Sequence, residues 1–252
     1  MMQTVAALTL LRDDAFSLKA WLRHYGGQFG RGNCYLICAG ADPELVEMAR
    51  GCSIFRLPDD FAGDIGRKRG RILNNFVAAL RCYFTHVIVG DTDELVVVDP
   101  LVSGNLHAYL ATMPDGRVMT PLGLELIHQA DRELEPAMDT ILGPRSYVRV
   151  SSEYSKPCII STATNLSRNG QFARFNQLFT PDPLYLLNLK NCDRPASPPV
   201  FESPVHDGFD FSLTRQRMHS SWQKRGTTGY WNFDLPGDNT PYLLPERFLG
   251  MF

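Results

Sequence analysis

No stretch of this chain is apolar for anything near the roughly 20 residues a helix needs to cross a bilayer. The longest apolar runs, such as Val5 to Leu11 and Leu184 to Leu187, stop far short. The first run also lacks the basic lead-in and small-residue cleavage site of a secretory signal, and Arg12-Asp13-Asp14 ends it. It reads instead as a buried first strand. No CxxC occurs, and six cysteines among 252 residues fit reduced thiols of a cytoplasmic protein better than a disulfide framework. Cys34 and Cys38 stand in a strand-like run where four residues span about 13 Å, too far for two ligands of one ion. Excess charge is missing too: Lys plus Arg total 25 against 27 Asp plus Glu, a formal charge of -2, which speaks against a nucleic-acid partner. With no repeat, low-complexity tract or clean linker, residues 1–252 are expected to form a single domain, with Pro195 to Pro204 as a surface loop.

What the chain does have is alternation. Thr4 to Leu11 predicts a strand, and Leu18, Trp21, Leu22 and Tyr25 then recur at i, i+3, i+4 and i+7, the spacing of one helical face. Cys34 to Cys38 and Ser53 to Leu57 predict further strands, with a helix over Pro43 to Ala49 between them. From Gly66 a long helix carries Leu73, Phe76, Val77, Leu80 and Phe84 on one stripe, with Arg67, Lys68, Arg69, Arg71 and Arg81 outside it. His86 to Val89 is the next strand, Asp99-Pro100 predicts the start of another helix with Leu106, Leu110 and Met113 inward, and Val118 to Ile127 and Leu184 to Leu189 predict later strands. The C-terminal Leu243 to Phe252 is apolar enough to dock on the body. The order implies an α/β fold, a mostly parallel central sheet flanked by helices in a Rossmann-like arrangement.

Chemistry is concentrated after the fourth strand, where Gly90 leads into Asp91-Thr92-Asp93-Glu94. In open α/β sheets ligands gather beyond the carboxyl ends of strands, and two carboxylates there can hold a hard cation through oxygen. Asp91 and Asp93 are the expected metal ligands for Mn2+ or Mg2+, which would neutralise charge on a leaving nucleoside diphosphate. Phosphoryl transfer on an aspartate also uses a D-x-D after a strand, but Glu94-Leu95-Val96-Val97-Val98 replaces the small and hydroxyl residues that usually follow.

These segments together resemble the glycosyltransferase family 2-like proteins, whose acidic motif reads D-x-D-E before an apolar stretch and Asp-Pro. Here that is Asp91-Thr92-Asp93-Glu94 through Asp99-Pro100, and the resemblance runs back through Leu73 to Val89, Trp21-Leu22-Arg23-His24-Tyr25 and Leu10-Leu11-Arg12-Asp13-Asp14. It runs forward through Gly123-Leu124-Glu125-Leu126-Ile127-His128, Tyr154-Ser155-Lys156-Pro157 and Leu186 to Asp193. The resemblance implies a GT-A fold, with Asp91 near the donor's ribose or diphosphate, Asp93 as principal metal ligand, and Asp13 or Asp14 bordering the nucleotide pocket. The chain departs at Phe172-Ala173 and Asn188-Leu189, where such relatives tend to carry histidines, which implies weaker metal affinity or a degenerate site.

Other residues join these as candidates. Arg12 accompanies Asp13 and Asp14 as a nucleotide contact, Arg67 opens the basic run Arg67-Lys68-Arg69-Gly70-Arg71 at a helix start, where it reads either as an anion site favoured by N–H groups or as a solvated helix face, and Lys156 offers a phosphate a point charge unless it is a solvated lysine. Inverting transfer needs a carboxylate base for the acceptor hydroxyl, and Glu125 and Asp139 are the candidates, although an ion pair with an arginine accounts equally well for Glu125. His128 and His206 read as structural, and the Trp222, Trp231 and Tyr230 group can either stack on a sugar or dock on the core. The expected function is transfer of a sugar from a nucleoside-diphosphate sugar to a glycan, lipid or small-molecule acceptor, in glycan biosynthesis. The alternatives are a degenerate, non-catalytic nucleotide- or glycan-binding module and a phosphoryl or nucleotidyl transferase.

Overall fold

The computed structural model describes residues 4–11, 14–40, 42–58, 65–129, 132–133, 140–167, 170, 173–174, 177–192, 208–225, 229–233 and 240–252. The expected loop from Pro195 to Pro204 lies outside these residues, as do Phe172 and His206.

The chain opens with β1 (Val5–Leu11), α1 (Ala15–Phe29), β2 (Cys34–Ala39), α2 (Pro43–Met48), β3 (Ser53–Leu57), α3 (Ile65–Leu80) and β4 (His86–Gly90). β1 lies between β2 and β4, and the pairings β3 to β2, β2 to β1 and β1 to β4 are all parallel. Side chains alternate across a strand, so a central strand buried on both sides reads as a continuous apolar run. β1 shows why: Val5, Ala7 and Leu11 face a core shared with Leu18, Trp21 and Leu22 of α1, whereas Ala6, Leu8 and Leu10 face Leu73, Val77 and Leu80 of α3. The molecule is therefore a mixed α/β structure whose central sheet is mostly parallel and flanked by helices. Two short strands, β6 (Val118–Met119) and β9 (Ile159–Ile160), complete that sheet, with β9 antiparallel to both β4 and β6.

A second sheet has no counterpart among the sequence expectations. It contains β5 (Glu94–Val98), β7 (Leu122–Ile127), β8 (Tyr147–Val150), β10 (Leu184–Asn191) and β13 (Tyr242–Leu243), in the order β13-β8-β7-β10-β5. The expected continuous strand from Val118 to Ile127 is in fact two, β6 in the first sheet and β7 in the second. Pro121 stands at the break, where its missing N–H suits a departure from one hydrogen-bond ladder into another.

The helix expected at Asp99-Pro100 begins later. α4 (Leu106–Ala111) is capped by Asn105, whose side chain accepts from the Ala108 N–H. Asp99 instead accepts the Leu101 N–H and a two-pronged pair from Arg247, Nε to Oδ1 and Nη2 to Oδ2, each 2.8 Å. This clasp helps dock the C-terminal segment as expected, with Phe248 and Phe252 buried in the main core.

β5 is an edge strand, and α1 seals it with side chains. The Tyr25 hydroxyl accepts the Val96 N–H at 2.8 Å and donates to the Glu94 carbonyl at 3.3 Å, and His24 Nε2 donates to the Val96 carbonyl at 2.8 Å. Because a carbonyl can only accept, His24 carries its proton on Nε2. Gln28 donates to His24 Nδ1 and accepts the Leu106 N–H, which ties the same edge to α4. Burial pushes the His24 pKa down to about 4, partly opposed by its bond to Val96.

Candidate functional site

Asp91-Thr92-Asp93-Glu94 forms the turn between β4 and β5, at the carboxyl end of an interior strand and at the junction of the two sheets. The turn closes on itself: Glu94 N–H donates to the Asp91 carbonyl at 3.1 Å, and Asp91 N–H donates to Glu94 Oε2 at 2.9 Å. Gly90 makes room for this. A Cβ there would lie 2.8 Å from Glu94 Oε2, so a side chain would displace the carboxylate that organises the turn.

Each acid of the turn has different company. Asp91 is paired with Arg69 of α3 at 2.5 Å. Glu94, deeply buried, takes the Lys156 ammonium on Oε1 at 2.6 Å. Asp93 has no ion-pair partner among the described residues, and burial, reinforced by Glu94 and Asp91, pushes its pKa up to about 6. One ligand oxygen from each of Asp91, Asp93 and Glu94 can be chosen so that all lie within 4.8 Å of one another. Three hard oxygen donors with an excess of negative charge suit a divalent cation of the Mg2+ or Mn2+ type.

Lys156 arrives on a segment held beside β4, where the Val89 N–H donates to the Cys158 carbonyl at 2.8 Å. Burial works against its charge, yet Glu94 in contact and Asp91 beyond hold its pKa above the ordinary lysine value. It is thus neither a solvated lysine nor a free one: its charge is committed to the acidic turn. Gly123 of β7 supports the same segment from below. A Cβ on Gly123 would come within 2.2 Å of the Tyr154 carbonyl carbon and 2.3 Å of the Ser155 nitrogen. The Gly123 N–H donates to Ser155 Oγ at 2.8 Å, which fixes the crossing.

In the second sheet Glu94 pairs in register with Asn188 and Asn188 with Glu125, so the three side chains share one face in a row across β5, β10 and β7. Asn188, one of the two departure positions, therefore stands between the acidic turn and the candidate base. Glu125 is buried and fully engaged: Oε2 takes Arg149 Nε at 2.6 Å and Oε1 takes the Asn191 amide. Of the two accounts of Glu125, the ion pair with an arginine is the one the structure contains. Ala173, the other departure position, is buried between Leu166 and Trp231, each joined to it by a single β-bridge.

Asp14 caps α1, accepting the Ser17 N–H at 3.1 Å and the Ser17 hydroxyl at 2.7 Å. Arg12, Asp13 and Asp139 lie outside the described residues, and Arg67 is described only as backbone of α3. His128 Nε2 lies 3.0 Å from the Glu133 carbonyl. Trp222 and Trp231 stack on each other at 5.9 Å between ring centroids, and Trp222 packs against the core.

Two residues of the centre do not stand out in the sequence. Arg69 falls among the basic residues outside the apolar stripe, but it precedes Leu73 by four residues, the i, i+4 spacing that puts both on one face, and that phase is the available signal. Tyr154 has no signal beyond its place in a motif. Burial raises its pKa, and the negative charge of Glu153, Glu125, Asp93 and Glu94 adds to the effect.

No family model matches the chain, and no curated protein matches it. Among solved structures, the mannose-1-phosphate geranyltransferase from Thermus thermophilus is similar with 14% sequence identity and a TM-score of 0.32 over 64% of this chain. The match spans 51% of that structure's length, about half, and a likeness at this level says nothing of activity.

Proposed function

We propose that the protein is a glycosyltransferase that moves a sugar from a nucleoside-diphosphate sugar to an acceptor hydroxyl. The observation that carries this reading is the Asp91-Thr92-Asp93-Glu94 turn at the end of an interior strand, where half-buried Asp93 has no ion-pair partner among the described residues. Asp93 and Asp91 would hold Mn2+ or Mg2+, which when bound supplies positive charge against the diphosphate. Arg69 orients Asp91, and Lys156 with the Asp91 N–H fixes the Glu94 carboxylate, so the turn keeps its shape without a ligand. Residues 1–252 are taken as one unit in this reading, with Arg12, Asp13, Asp14 and Arg67 as nucleotide-pocket candidates and Asp139 as a second base candidate.

A binding module is the second reading, and one observation favours it. Both oxygens of Glu125 are engaged by Arg149 and Asn191, so among the described residues no base candidate is free to take a proton. Calorimetric titration with uridine and guanosine diphosphates in Mn2+ tests the shared premise. Wild type should bind one of them, and Asp93→Asn, which keeps shape but deletes an anionic oxygen, should lose most of that binding. Equal binding by both proteins would remove Asp93 from the site. Binding without release of diphosphate from any nucleotide sugar would favour the module.

A further inference from the structure

Beside the acidic centre the surface opens into a basin of about 350 Å3, lined by Arg71, Asn74, Asn75, Asn165, Arg174 and Tyr230 among others. It neighbours the basic partners of the centre through a second cavity. Gly70 and Leu166 line both the basin and the smaller cavity that reaches Arg69, Gly90 and Lys156.

The basin has a built frame. Asn74 of α3 clasps the facing loop as a strand would, donating to the Leu166 carbonyl at 2.9 Å and accepting the Leu166 N–H at 2.8 Å. The Arg174 N–H returns to the Asn165 carbonyl at 3.0 Å, and the Trp231 N–H donates to the Ala173 carbonyl at 3.1 Å. These bonds close a loop between α3 and β12 (Tyr230–Asn232). Arg174 is thereby set over the Tyr230 ring, 4.9 Å from its centroid, which orients the guanidinium plane.

Charge completes the case. No Asp or Glu occurs from Tyr154 to Pro181, nor from Ile65 to Val89, so both walls are built from acid-free sequence. Among the described residues neither Arg71 nor Arg174 has a carboxylate partner, in contrast to Arg69, Arg149 and Arg247. Two guanidiniums without a carboxylate partner among the described residues, lining one basin with Asn75 and Asn165, make a site for an anionic oxygen group, which guanidinium binds through paired N–H donors.

We propose that this basin binds the anionic group of a phosphorylated or carboxylated acceptor and so presents that acceptor to the neighbouring centre. The acceptor role rests on the reading of the acidic turn as the donor site; the anion preference does not.

The test is calorimetric titration with glucose 6-phosphate, glucuronate and glucose in EDTA, on wild type, Arg71→Gln, Arg174→Gln and the double variant. One or both anionic probes should bind at least tenfold more tightly than glucose, and which one does so names the acceptor group. Each single variant should lose most of that preference and the double variant all of it. Arg174→Lys, which keeps charge but not the planar donor pair, should retain only part. Uridine or guanosine diphosphate binding in Mn2+ should persist in all these variants. Equal binding of glucose and the anions, no binding of any probe at millimolar concentration, or a double variant that binds like wild type would overturn the basin while leaving the donor reading intact. Absence of diphosphate binding by the wild type would overturn the donor reading and the acceptor role with it.

Discussion

Lys156 donates to Glu94 across 2.6 Å, while the second oxygen of Glu94 is occupied by the backbone N–H of Asp91. Glu94 therefore neutralises the lysine and shapes the turn at once, and Asp93 is left with the unbalanced charge. A buried ion pair contributes little over an apolar replacement, but breaking one leaves an uncompensated charge in a poor solvent.

Lys156→Met should accordingly destabilise the fold by about 3–5 kcal/mol, and adding Glu94→Gln should restore a large part of the loss. Urea unfolding of the two single variants and the double variant gives the coupling. Additivity within about 0.5 kcal/mol would mean that the two side chains do not depend on each other.

Gly123→Ala should cost more than about 3 kcal/mol, because the new methyl group meets backbone atoms of Tyr154 and Ser155 that cannot turn away as a side chain could. Since the same crossing carries Lys156, the variant should also lose diphosphate binding in excess of its fraction unfolded. Stability near wild type in thermal unfolding would show that the crossing relaxes easily.

His24 predicts a pH dependence whose sign follows from linkage. Its folded pKa, about 4, lies below the ordinary histidine value, so the unfolded chain takes up a proton that the folded one refuses. The stability owed to neutral His24 is complete above about pH 6.5 and is lost as pH falls through about 4. Between pH 7 and pH 5 the loss should be about 2 kcal/mol. His24→Gln should abolish that part of the slope, and denaturant midpoints at the two pH values measure it. Identical slopes for the two proteins would count against a buried neutral imidazole.

The first half of the fold is legible in the sequence because β1, β2, β4 and α1 are buried in ways that leave simple periods: continuous apolar runs for strands covered on both faces, and i, i+3, i+4 spacing for a helix covered on one. The second sheet is not, since its strands exchange partners across long distances and its route depends on Pro121 leaving one ladder for another, which no local period records. The acidic turn is legible from residue type and position. What its neighbours do is not: Arg69 is hidden inside a basic run, and Lys156 can be told from a surface lysine only once Glu94 is placed against it. Asp14 carries a part no motif announces: its carboxylate caps α1 by accepting from Ser17.

The sealing of β5 by Tyr25 and His24 has a consequence for how the chain survives its own folding. Leu95 to Val98 is uncharged, largely β-branched and free of proline and glycine, the composition that stacks readily into intermolecular sheets. In the native molecule α1 hides that edge by giving its Val96 N–H and C=O to side chains. Any species in which the strand has formed but α1 has not yet docked offers an open template to a second copy, so α1 also acts as an intramolecular guard against aggregation.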